Sequence, residues 1–334
     1  MTSNKTLMRQ EIEEIPVAVE RLLAGGADAV AAAAAVARNG DMRFMMSVAR
    51  GSSDHACTYL KYASELLLGL PMASVGPSVA SVYGAELKAA GALCLSVSQS
   101  GKSPDIVRLT QSARAAGAST VAITNDPASP LAEAAAATLQ LHAGPERSVA
   151  ATKTFVTSLV AGLWLIAELK GDKDLLKALH DLPTQLDAAT RCDWSEAANA
   201  ITGSSLFTLG RGPSLAISNE AALKFKETCQ IHAESYSSAE VLHGPVSIVE
   251  SGFPVIAFAA ADAAEPLLAE VADALAAKGA QVFAVTGQVA QASVLPHVRT
   301  GHWLADPVAA IVSFYAMVEQ VAASRGINPD APRH

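Results

Sequence analysis

The stretch Leu93–Asp105, LCLSVSQSGKSPD, passes from an apolar run through a loop of small polar residues to a proline. The apolar part, Ala92–Val97, predicts a short buried strand, and the residues from Pro104 onward predict a helix. The loop between them contains three serines and one glycine. Because the first amides of a helix lack partners within it, the loop places hydrogen-bond donors at the end of a strand.

The rest of the first half repeats this alternation of short apolar runs and longer alanine-rich stretches. The short runs predict buried strands and the longer stretches predict helices. Such an alternation is typical of a parallel sheet covered by helices. The predicted strands are Arg43–Val48, Ala92–Val97 and Thr120–Thr124, and the predicted helices are Ser53–Leu68 and Pro104–Ala116.

The second half shows the same order of elements, displaced by about 161 positions. Under this shift Gly51 falls on Gly212 and Val97 on Phe258, so the junctions between strands and turns recur in step. The predicted fold is therefore α/β, with two tandem domains, each a parallel sheet flanked by helices in a flavodoxin-like three-layer sandwich. The second set of strands is Leu206–Leu209, Pro254–Phe258 and Gln281–Val285, and its helices are Pro213–Thr228 and Glu265–Ala277.

This pattern predicts three segments: an N-terminal helical segment (1–40), a first domain (41–194) and a second domain (195–334). The first domain ends with linker helices predicted over Thr154–Leu169 and Asp172–Thr190, which Gly171 separates. The N-terminal segment is predicted to contain one or two amphipathic helices. Pro307–Arg325 is predicted to form the closing helix of the second domain.

The composition describes a globular chain with a large apolar interior. Of 334 residues 51% are apolar and 17% are charged, and the formal net charge is -8. A nucleic-acid partner is not expected, because no stripe of Lys and Arg is present to hold phosphate backbones. The longest uncharged apolar stretch, Phe155–Ala167, is too short to span a bilayer, and Met1–Lys5 leads into charge instead of an apolar signal core. We therefore predict neither membrane attachment nor secretion.

The four cysteines lie far apart in the sequence, at Cys57, Cys94, Cys192 and Cys229. This spacing is typical of neither a disulfide framework nor a zinc site, so a reducing cytoplasm is the predicted location. The sequence also has no spaced set of His, Cys and Asp ligands and no Gly-x-Gly-x-x-Gly turn after a strand. We expect neither a metal nor an organic cofactor.

The loop after Val97 has the features of a phosphate-binding site, because amides at a helix start and small hydroxyl side chains let a phosphate approach closely. An alternative is that Ser98, Ser100 and Ser103 only cap the helix. The matching residues of the second half, Ala259–Asp262, lack the hydroxyls and add a carboxylate that would repel phosphate. This asymmetry favours phosphate binding by the first half. The turn after the first strand adds further donors at the same edge of the sheet, Ser52 or Ser53.

The helix predicted from Pro213 carries three ionisable side chains along one face. Glu220, Lys224 and Glu227 are spaced by four and three residues, which brings them together on a helix surface. A set of this kind is often a solvated salt-bridge ladder. In so apolar a protein it also fits acid–base chemistry.

Four blocks, in order along the chain, resemble the SIS (sugar isomerase) family, and most closely the isomerase portion of glucosamine-fructose-6-phosphate synthase. The resemblance runs from about Leu7 to His334. It implies two tandem SIS domains, which agrees with the predicted repeat. The blocks are Ser98–Gly101, Val149–Lys153, Glu220–Glu227 and Ala239–Pro245.

The resemblance also implies which residues bind the substrate. In the family the serine-rich loop and the turn after the first strand hold the sugar phosphate. A residue of the second block, Val149, joins the binding set. The residues so implied are Ser52, Ser53, Ser98, Gln99, Ser100, Ser103 and Val149.

The catalytic residues that the resemblance implies come from the last two blocks. Glu227 is the base that carries a proton between carbons 1 and 2 of the sugar, and Glu220 and Lys224 position and polarise it. His243 is contributed by the neighbouring subunit and opens the sugar ring, so that a homodimer is required. The other histidines have no motif support and are interpreted as structural.

Three residues depart from the family pattern. Ala151 replaces a hydroxyl residue, Arg50 stands in the place of a small residue, and Lys102 stands where an acid is common. The fine contacts to the substrate therefore stay open. The last residues, Asp330–His334, resemble the approach to the family's short tail, whose lysine forms a Schiff base with the ketose. The sequence contains no such lysine.

The resemblance implies an amino sugar 6-phosphate as substrate, and the chain is expected to lack the synthase's glutaminase domain, because no catalytic cysteine stands near residue 1. An isomerase half without this ammonia source can catalyse the reverse direction. It would then be a glucosamine-6-phosphate deaminase, which converts glucosamine 6-phosphate and water to fructose 6-phosphate and ammonia. The alternatives are a deaminase or isomerase for galactosamine 6-phosphate, a deglycase for sugar-amine conjugates and, in another class, a non-catalytic phosphosugar-binding regulator.

Overall fold

The computed structural model describes residues 5–331 and Arg333. Strands and helices alternate along most of this length, and all strand pairs are parallel. Two parts of the sequence-based predictions, the start Met1–Asn4 and the tail residues Pro332 and His334, lie outside the described residues. The strands are β1 Phe44–Val48, β2 Met72–Ser74, β3 Ala92–Val97, β4 Ser119–Thr124, β5 Ala137–Gln140, β6 Ser205–Gly210, β7 His232–Ser237, β8 Pro254–Ala257, β9 Gln281–Ala284 and β10 Ser293–Val294.

The helices cover the sheets and connect successive parallel strands, as parallel pairing requires. A short 3₁₀ helix, Pro245–Ile248, follows β7. The α-helices are α1 Leu7–Glu13, α2 Ile15–Gly25, α3 Ala27–Asn39, α4 Ser52–Leu67, α5 Ser78–Ser81, α6 Pro104–Ala115, α7 Pro130–Ala134, α8 Lys153–Lys170, α9 Lys173–Ala189, α10 Ser195–Ala200, α11 Pro213–Cys229, α12 Glu265–Ala276 and α13 Asp306–Ser324.

The two sheets have the same strand order, which confirms the predicted tandem α/β fold. The first sheet runs β2-β1-β3-β4-β5, and the second runs β7-β6-β8-β9-β10. This is the order 2-1-3-4-5 of flavodoxin-like folds. The paired glycines Gly51 and Gly212 also agree in backbone geometry, since both precede a helix with positive φ, 55° and 58°. The repeat predicted from the sequence therefore extends to individual turns.

The chain divides into two compact units. The N-terminal sheet unit consists of Val17–Pro145 and Lys153–His180 and contains the first sheet. The C-terminal sheet unit consists of Met1–Pro16, Glu146–Thr152 and Asp181–His334 and contains the second sheet. The domain boundaries near residues 40 and 194 stay a prediction.

The structure differs from the sequence-based predictions mainly at the sheet edges. The strands β2, β5, β7 and β10 were not predicted, and each lies at the edge of its sheet. Edge strands are short or polar, as in the sequence HAESYS of β7, so they lack the apolar run that marks an interior strand. The N-terminal stretch forms three helices, α1 to α3, instead of the predicted one or two.

Helix α13 is long and apolar enough to cross a bilayer by length and composition alone. In the structure 78% of its most apolar window is buried. The helix packs against α1, α10 and α11 of the same unit. These properties are those of a core helix.

Candidate active site

Helix α11 brings together the three ionisable residues that the sequence places on one face. The Lys224 ammonium lies 3.3 Å from Glu220 Oε1 and 2.5 Å from Glu227 Oε2. The side chains of Glu220 and Lys224 are 0% and 1% exposed, so the cluster is not a solvated ladder. Glu227 differs from its partners, because 35% of its side chain is exposed. It is the member of the cluster that a ligand can reach.

The buried part of the cluster is held by α13. The Tyr315 hydroxyl donates a hydrogen bond of 3.2 Å to Glu220 Oε1. Burial raises the pKa of Tyr315 well above its usual value, and the charge of Glu220 adds to this. Tyr315 therefore stays protonated as a donor to Glu220.

The charge state of Lys224 follows from the same contacts. Burial acts to lower its pKa, but the carboxylates of Glu220 and Glu227 act in the opposite direction and prevail, so that the pKa of Lys224 is raised. The lysine is a fixed cation at neutral pH. The Lys224 ammonium donates a hydrogen bond to Glu227 Oε2, which orients the carboxylate and leaves its other oxygen outside this hydrogen bond.

Glu227 lines a cavity of about 520 Å³ in the C-terminal sheet unit. Val149, which the resemblance assigns to substrate binding, lines the same cavity and is 66% exposed. Three polar lining residues were not predicted from the sequence. Lys226 lies inside the block Glu220–Glu227 that resembles the family, but nothing in the sequence indicated that its side chain borders a cavity. The other two are Gln230 and Arg333.

The serine-rich loop between β3 and α6 lies in the N-terminal sheet unit. Ser98 Oγ accepts a hydrogen bond from the Gly101 amide, and Ser100 Oγ accepts one from the Lys102 amide, both at 3.3 Å. Ser103 occupies the N-cap position of α6, but its side chain makes no capping hydrogen bond. The alternative that these serines only cap the helix therefore does not describe Ser103. Gln99, Ser100 and Ser103 are half-buried, and their assignment to the phosphate stays a prediction.

A second turn adjoins this loop because β1 and β3 are neighbours in the sheet. An ion pair between Arg50, just after β1, and Asp105, in the first turn of α6, joins the two turns. Ser52 and Ser53 begin α4 directly after Gly51 and are half-buried. Lys102 lies 3.5 Å from Asp126 Oδ2. Two of the three residues that depart from the family pattern, Arg50 and Lys102, thus place cations on the loops predicted to bind phosphate.

Gly101 fixes the shape of the serine-rich loop. Its φ is +63°, and a Cβ at this position would lie 2.1 Å from Ser129 Oγ and 2.9 Å from Thr124 Oγ1. We expect Gly101→Ala to lower the free energy of unfolding by about 1–3 kcal/mol through strain and the clash, and to weaken phosphate binding at least tenfold. Urea unfolding and titration with inorganic phosphate measure the two effects. Gly69→Ala is the control, since its φ is +69° but its Cβ would meet nothing within 4 Å. Equal phosphate affinity of the two variants would contradict the expectation.

The matching edge of the second sheet is filled by the protein's own carboxylates. Asp306 Oδ2 accepts a hydrogen bond of 2.9 Å from the Ala261 amide. Burial raises the pKa of Asp262, and the nearby Glu265 and Asp306 raise it further. Arg299 pairs with Glu265 and Asp306. The carboxylates at this edge of the second sheet would repel a phosphate. This agrees with the sequence difference between Ala259–Asp262 and the serine-rich loop of the first half.

His243 lies on an exposed turn between β7 and the 3₁₀ helix. It is not among the described residues that line the Glu227 cavity. Two apolar side chains near it are also exposed, Leu242 by 38% and Ile248 by 54%. Within the part of the chain that the structure describes, no group of His, Cys, Asp and Glu is arranged to hold a metal ion.

Comparisons with known proteins give the chain a family. The family model described as the SIS domain matches residues 43–168 and 202–323. The glutamine–fructose-6-phosphate aminotransferase (isomerizing) of Sulfurisphaera tokodaii is 31% identical over 347 residues, which cover 98% of this chain and 55% of that protein. The chain thus spans about half the length of the curated relatives it matches.

Two solved structures are similar over almost the whole chain. A proposed phosphosugar isomerase from Silicibacter pomeroyi DSS-3 is 67% identical, with a TM-score of 0.95 over 98% of this chain and 100% of that one. The C-terminal domain of glucosamine-fructose-6-phosphate aminotransferase from Francisella tularensis is 25% identical, with a TM-score of 0.86 over 99% of both chains. The match to a C-terminal domain accounts for the partial coverage of the longer relatives.

Proposed function

The chain belongs to the SIS domain family, and we propose that it is a phosphosugar isomerase that acts on an amino sugar 6-phosphate. The isomerase portion of the aminotransferases is the part of these relatives that we expect it to resemble in activity. The reaction we propose converts glucosamine 6-phosphate and water to fructose 6-phosphate and ammonia. The relatives' names support the substrate class, since they contain glucosamine and fructose 6-phosphate. The direction is the one that needs only the sugar phosphate and water.

The observation that carries this proposal is the buried Glu220–Lys224–Glu227 cluster with one carboxylate facing a cavity. A phosphosugar-binding protein without catalytic activity needs a phosphate site but has no use for a base. Two of the charges are fully buried, which is costly unless they are paired, and the arrangement leaves Glu227 oriented and accessible. This is the geometry that general acid–base catalysis requires.

The proposed reaction has three steps. His243 opens the sugar ring, which exposes the aldehyde at carbon 1. Glu227 removes the proton from carbon 2 and returns it to carbon 1, and a second proton passes from the amine to the oxygen at carbon 1. The aldehyde thereby becomes a hydroxymethyl group, and the amine at carbon 2 becomes an imine. Water then adds to carbon 2, and ammonia leaves as the carbonyl of fructose 6-phosphate forms. One carboxylate can act as acid and base because its oxygen carries the proton between adjacent carbons.

The phosphate of the substrate is assigned to the N-terminal sheet unit. Ser98, Gln99, Ser100 and Ser103 supply hydroxyl, carboxamide and amide groups at the start of α6, and Ser52 and Ser53 do so at the start of α4. Helix starts favour anions through their free amides and dipole. Val149 is assigned to the sugar in the Glu227 cavity.

A homodimer is part of the proposal, with His243 serving the active site of the neighbouring subunit. The exposure of His243 together with Leu242 and Ile248 supports this, because an exposed apolar turn is suited to contact with a second copy. The free state of all four cysteines supports a cytoplasmic location.

The test is to incubate the protein with glucosamine 6-phosphate, without glutamine, and to measure ammonia and fructose 6-phosphate. We expect the two products in equal amounts, and at least about 100-fold slower release of both from the Glu227→Gln variant purified in the same way, which excludes a contaminating enzyme. Galactosamine 6-phosphate is assayed in parallel, and a faster reaction with it would reassign the substrate. Saturable binding of either sugar phosphate without turnover would overturn the enzyme assignment in favour of a regulator.

A further inference from the structure

Two of the walls of the Glu227 cavity have no regular secondary structure. One is the 146–152 loop, which contributes Val149 and Ala150. The other is the tail segment, residues 327–331 and Arg333, which contributes Pro329 and Arg333. Backbone of this kind occupies one position only where side chains hold it there. The structure shows that a single short helix, α1, holds both walls.

Glu11 of α1 holds the 146–152 loop. Its carboxylate is only 5% exposed, and it accepts hydrogen bonds from Arg147 N at 2.5 Å and from Ser148 Oγ at 2.5 Å. Ser148 N adds weaker contacts at 3.3 and 3.4 Å. A buried carboxylate satisfied in this way fixes the two residues that precede Val149.

The tail segment is held at the other end of the same helix. The Asp330 carboxylate accepts hydrogen bonds from Leu7 N at 2.7 Å and Met8 N at 2.9 Å. These amides belong to the first turn of α1, where no partner within the helix exists and the dipole favours a negative charge. Asp330 lies between Pro329 and Arg333, the two tail residues that line the cavity.

Helix α1 is in turn fixed to α13. Arg9 donates to Glu319 Oε2 from Nη2 at 2.6 Å and from Nε at 3.1 Å, and it also donates to the Ala316 carbonyl oxygen at 2.7 Å. Thr6 Oγ1 donates to Glu319 Oε1 at 2.9 Å. The adjacent Tyr315 is the residue that donates to Glu220. Helix α13 therefore contacts both the acid–base cluster, through Tyr315, and the helix that holds the two walls, α1.

We propose that α1 is the positioning element of the Glu227 cavity, and that Glu11 and Asp330 are positioning residues for the reaction. This inference rests on the proposed function. Neither residue lines the cavity, so each acts through the wall that it holds. Glu11 sets the position of Val149 and Ala150, and Asp330 sets that of Pro329 and Arg333, relative to Glu227. A displacement of about 1 Å in such a wall lowers the rate of a reaction by up to about 10²-fold.

The experiment compares Glu11→Gln and Asp330→Ala with the control Glu13→Gln. Glu13 lies on the same helix and pairs with the Lys5 ammonium at 2.7 Å, but its side chain is 44% exposed and bonds to neither wall. Amide hydrogen exchange of the 146–152 and 327–331 segments is measured together with kcat and KM for glucosamine 6-phosphate. The melting temperature checks that each variant is folded.

We expect Glu11→Gln to accelerate exchange in the 146–152 loop and Asp330→Ala to accelerate it in the tail segment, each by about tenfold or more. Both variants are expected to lower kcat by about 10- to 100-fold with a smaller change in KM, whereas Glu13→Gln, which removes only an exposed ion pair, changes neither quantity more than about twofold. Asp330→Asn retains one acceptor oxygen and so keeps a hydrogen bond to one of the two amides, and it is expected to recover part of the lost rate.

Two results would overturn the proposal. One is unchanged exchange in both segments, and the other is faster exchange with an unchanged kcat. If the wild-type protein releases no ammonia, the proposed reaction fails by itself, and exchange together with glucosamine 6-phosphate affinity still decides whether α1 positions the walls. An equal effect of Glu13→Gln on kcat would reduce α1 to a structural role.

Discussion

Replacing Glu227 by glutamine is expected to lower kcat by roughly 10²- to 10⁴-fold, the range that a general acid–base residue contributes. A carboxamide has almost the shape of the carboxylate and can still accept a hydrogen bond from Lys224, but it cannot take a proton from carbon 2. Substrate binding through the serine-rich loop is expected to persist, with a KM changed by less than about tenfold. Ammonia release and the affinity for glucosamine 6-phosphate measure the two quantities separately.

The matched control for this variant is Glu270→Gln. Glu270 is an exposed carboxylate in the middle of a helix of the same unit, α12. Deuterium from heavy water gives a second measure, because a base that exchanges its proton with solvent introduces deuterium at carbon 1 of the product. We expect incorporation with the wild-type protein and with Glu270→Gln. A Glu227→Gln variant with full activity would refute the proposed role of this residue.

Replacing Lys224 by methionine is expected to destabilise the fold by about 3–5 kcal/mol, as is typical when one partner of a buried ion pair is removed. Methionine fills much of the same volume, but it leaves the fully buried Glu220 without its cation. Activity is also expected to be lost, since Glu227 loses the donor that orients it. Urea unfolding, compared at a fixed pH, measures the change in the free energy of unfolding.

The double variant Lys224→Met/Glu220→Gln separates charge from packing. It removes the uncompensated carboxylate, so it is expected to recover at least half of the lost stability but none of the activity. Lys226→Met on the same helix is the control, because Lys226 is exposed and such substitutions change stability by about 0.5 kcal/mol or less. If Lys224→Met cost no more than Lys226→Met, the pairing would not contribute to stability.

The pH dependence of this effect follows from the raised pKa of Lys224, on which burial and the two carboxylates act in opposite directions. A group whose pKa is higher in the folded state stabilises the fold at pH values below its ordinary pKa, here 10.5. The contribution disappears as the pH rises through the raised value. The contribution of the Lys224 charge to the stability of the wild-type protein is therefore expected to be constant through the neutral range, and urea unfolding of the wild type at several pH values measures it.

The interior of the fold could be predicted from the sequence, whereas its edges could not. The strands β1, β3 and β4 are apolar runs buried on both faces, so each could be predicted from its own residues alone. An edge strand such as β7 forms because its backbone pairs with a neighbouring strand, here β6. Its own residues include no apolar run from which a strand could be predicted.

The candidate site likewise has features that the sequence predicts and features that it does not. The Glu220–Lys224–Glu227 spacing is local, and a helix necessarily brings these residues together. Their burial is not local, since it depends on α13, whose Tyr315 is 95 residues away from Glu220 in sequence. The contacts of Glu11 and Asp330 span 137 and 323 residues, and no periodicity of the sequence indicates such pairs. Arg333 likewise carried no signal that it borders the cavity.

The contacts between α1 and α13 have a consequence for how the protein is made. Thr6 and Glu319 are separated by 313 residues, which a ribosome adds in roughly 15 to 60 seconds. During this interval α1 has been synthesised but its docking face has not, whereas every segment of the N-terminal sheet unit precedes Asp181. Helix α1 therefore settles on α13 long after it has itself been synthesised. The Glu227 cavity, whose tail wall follows α13 in the chain, is completed only after that docking face exists.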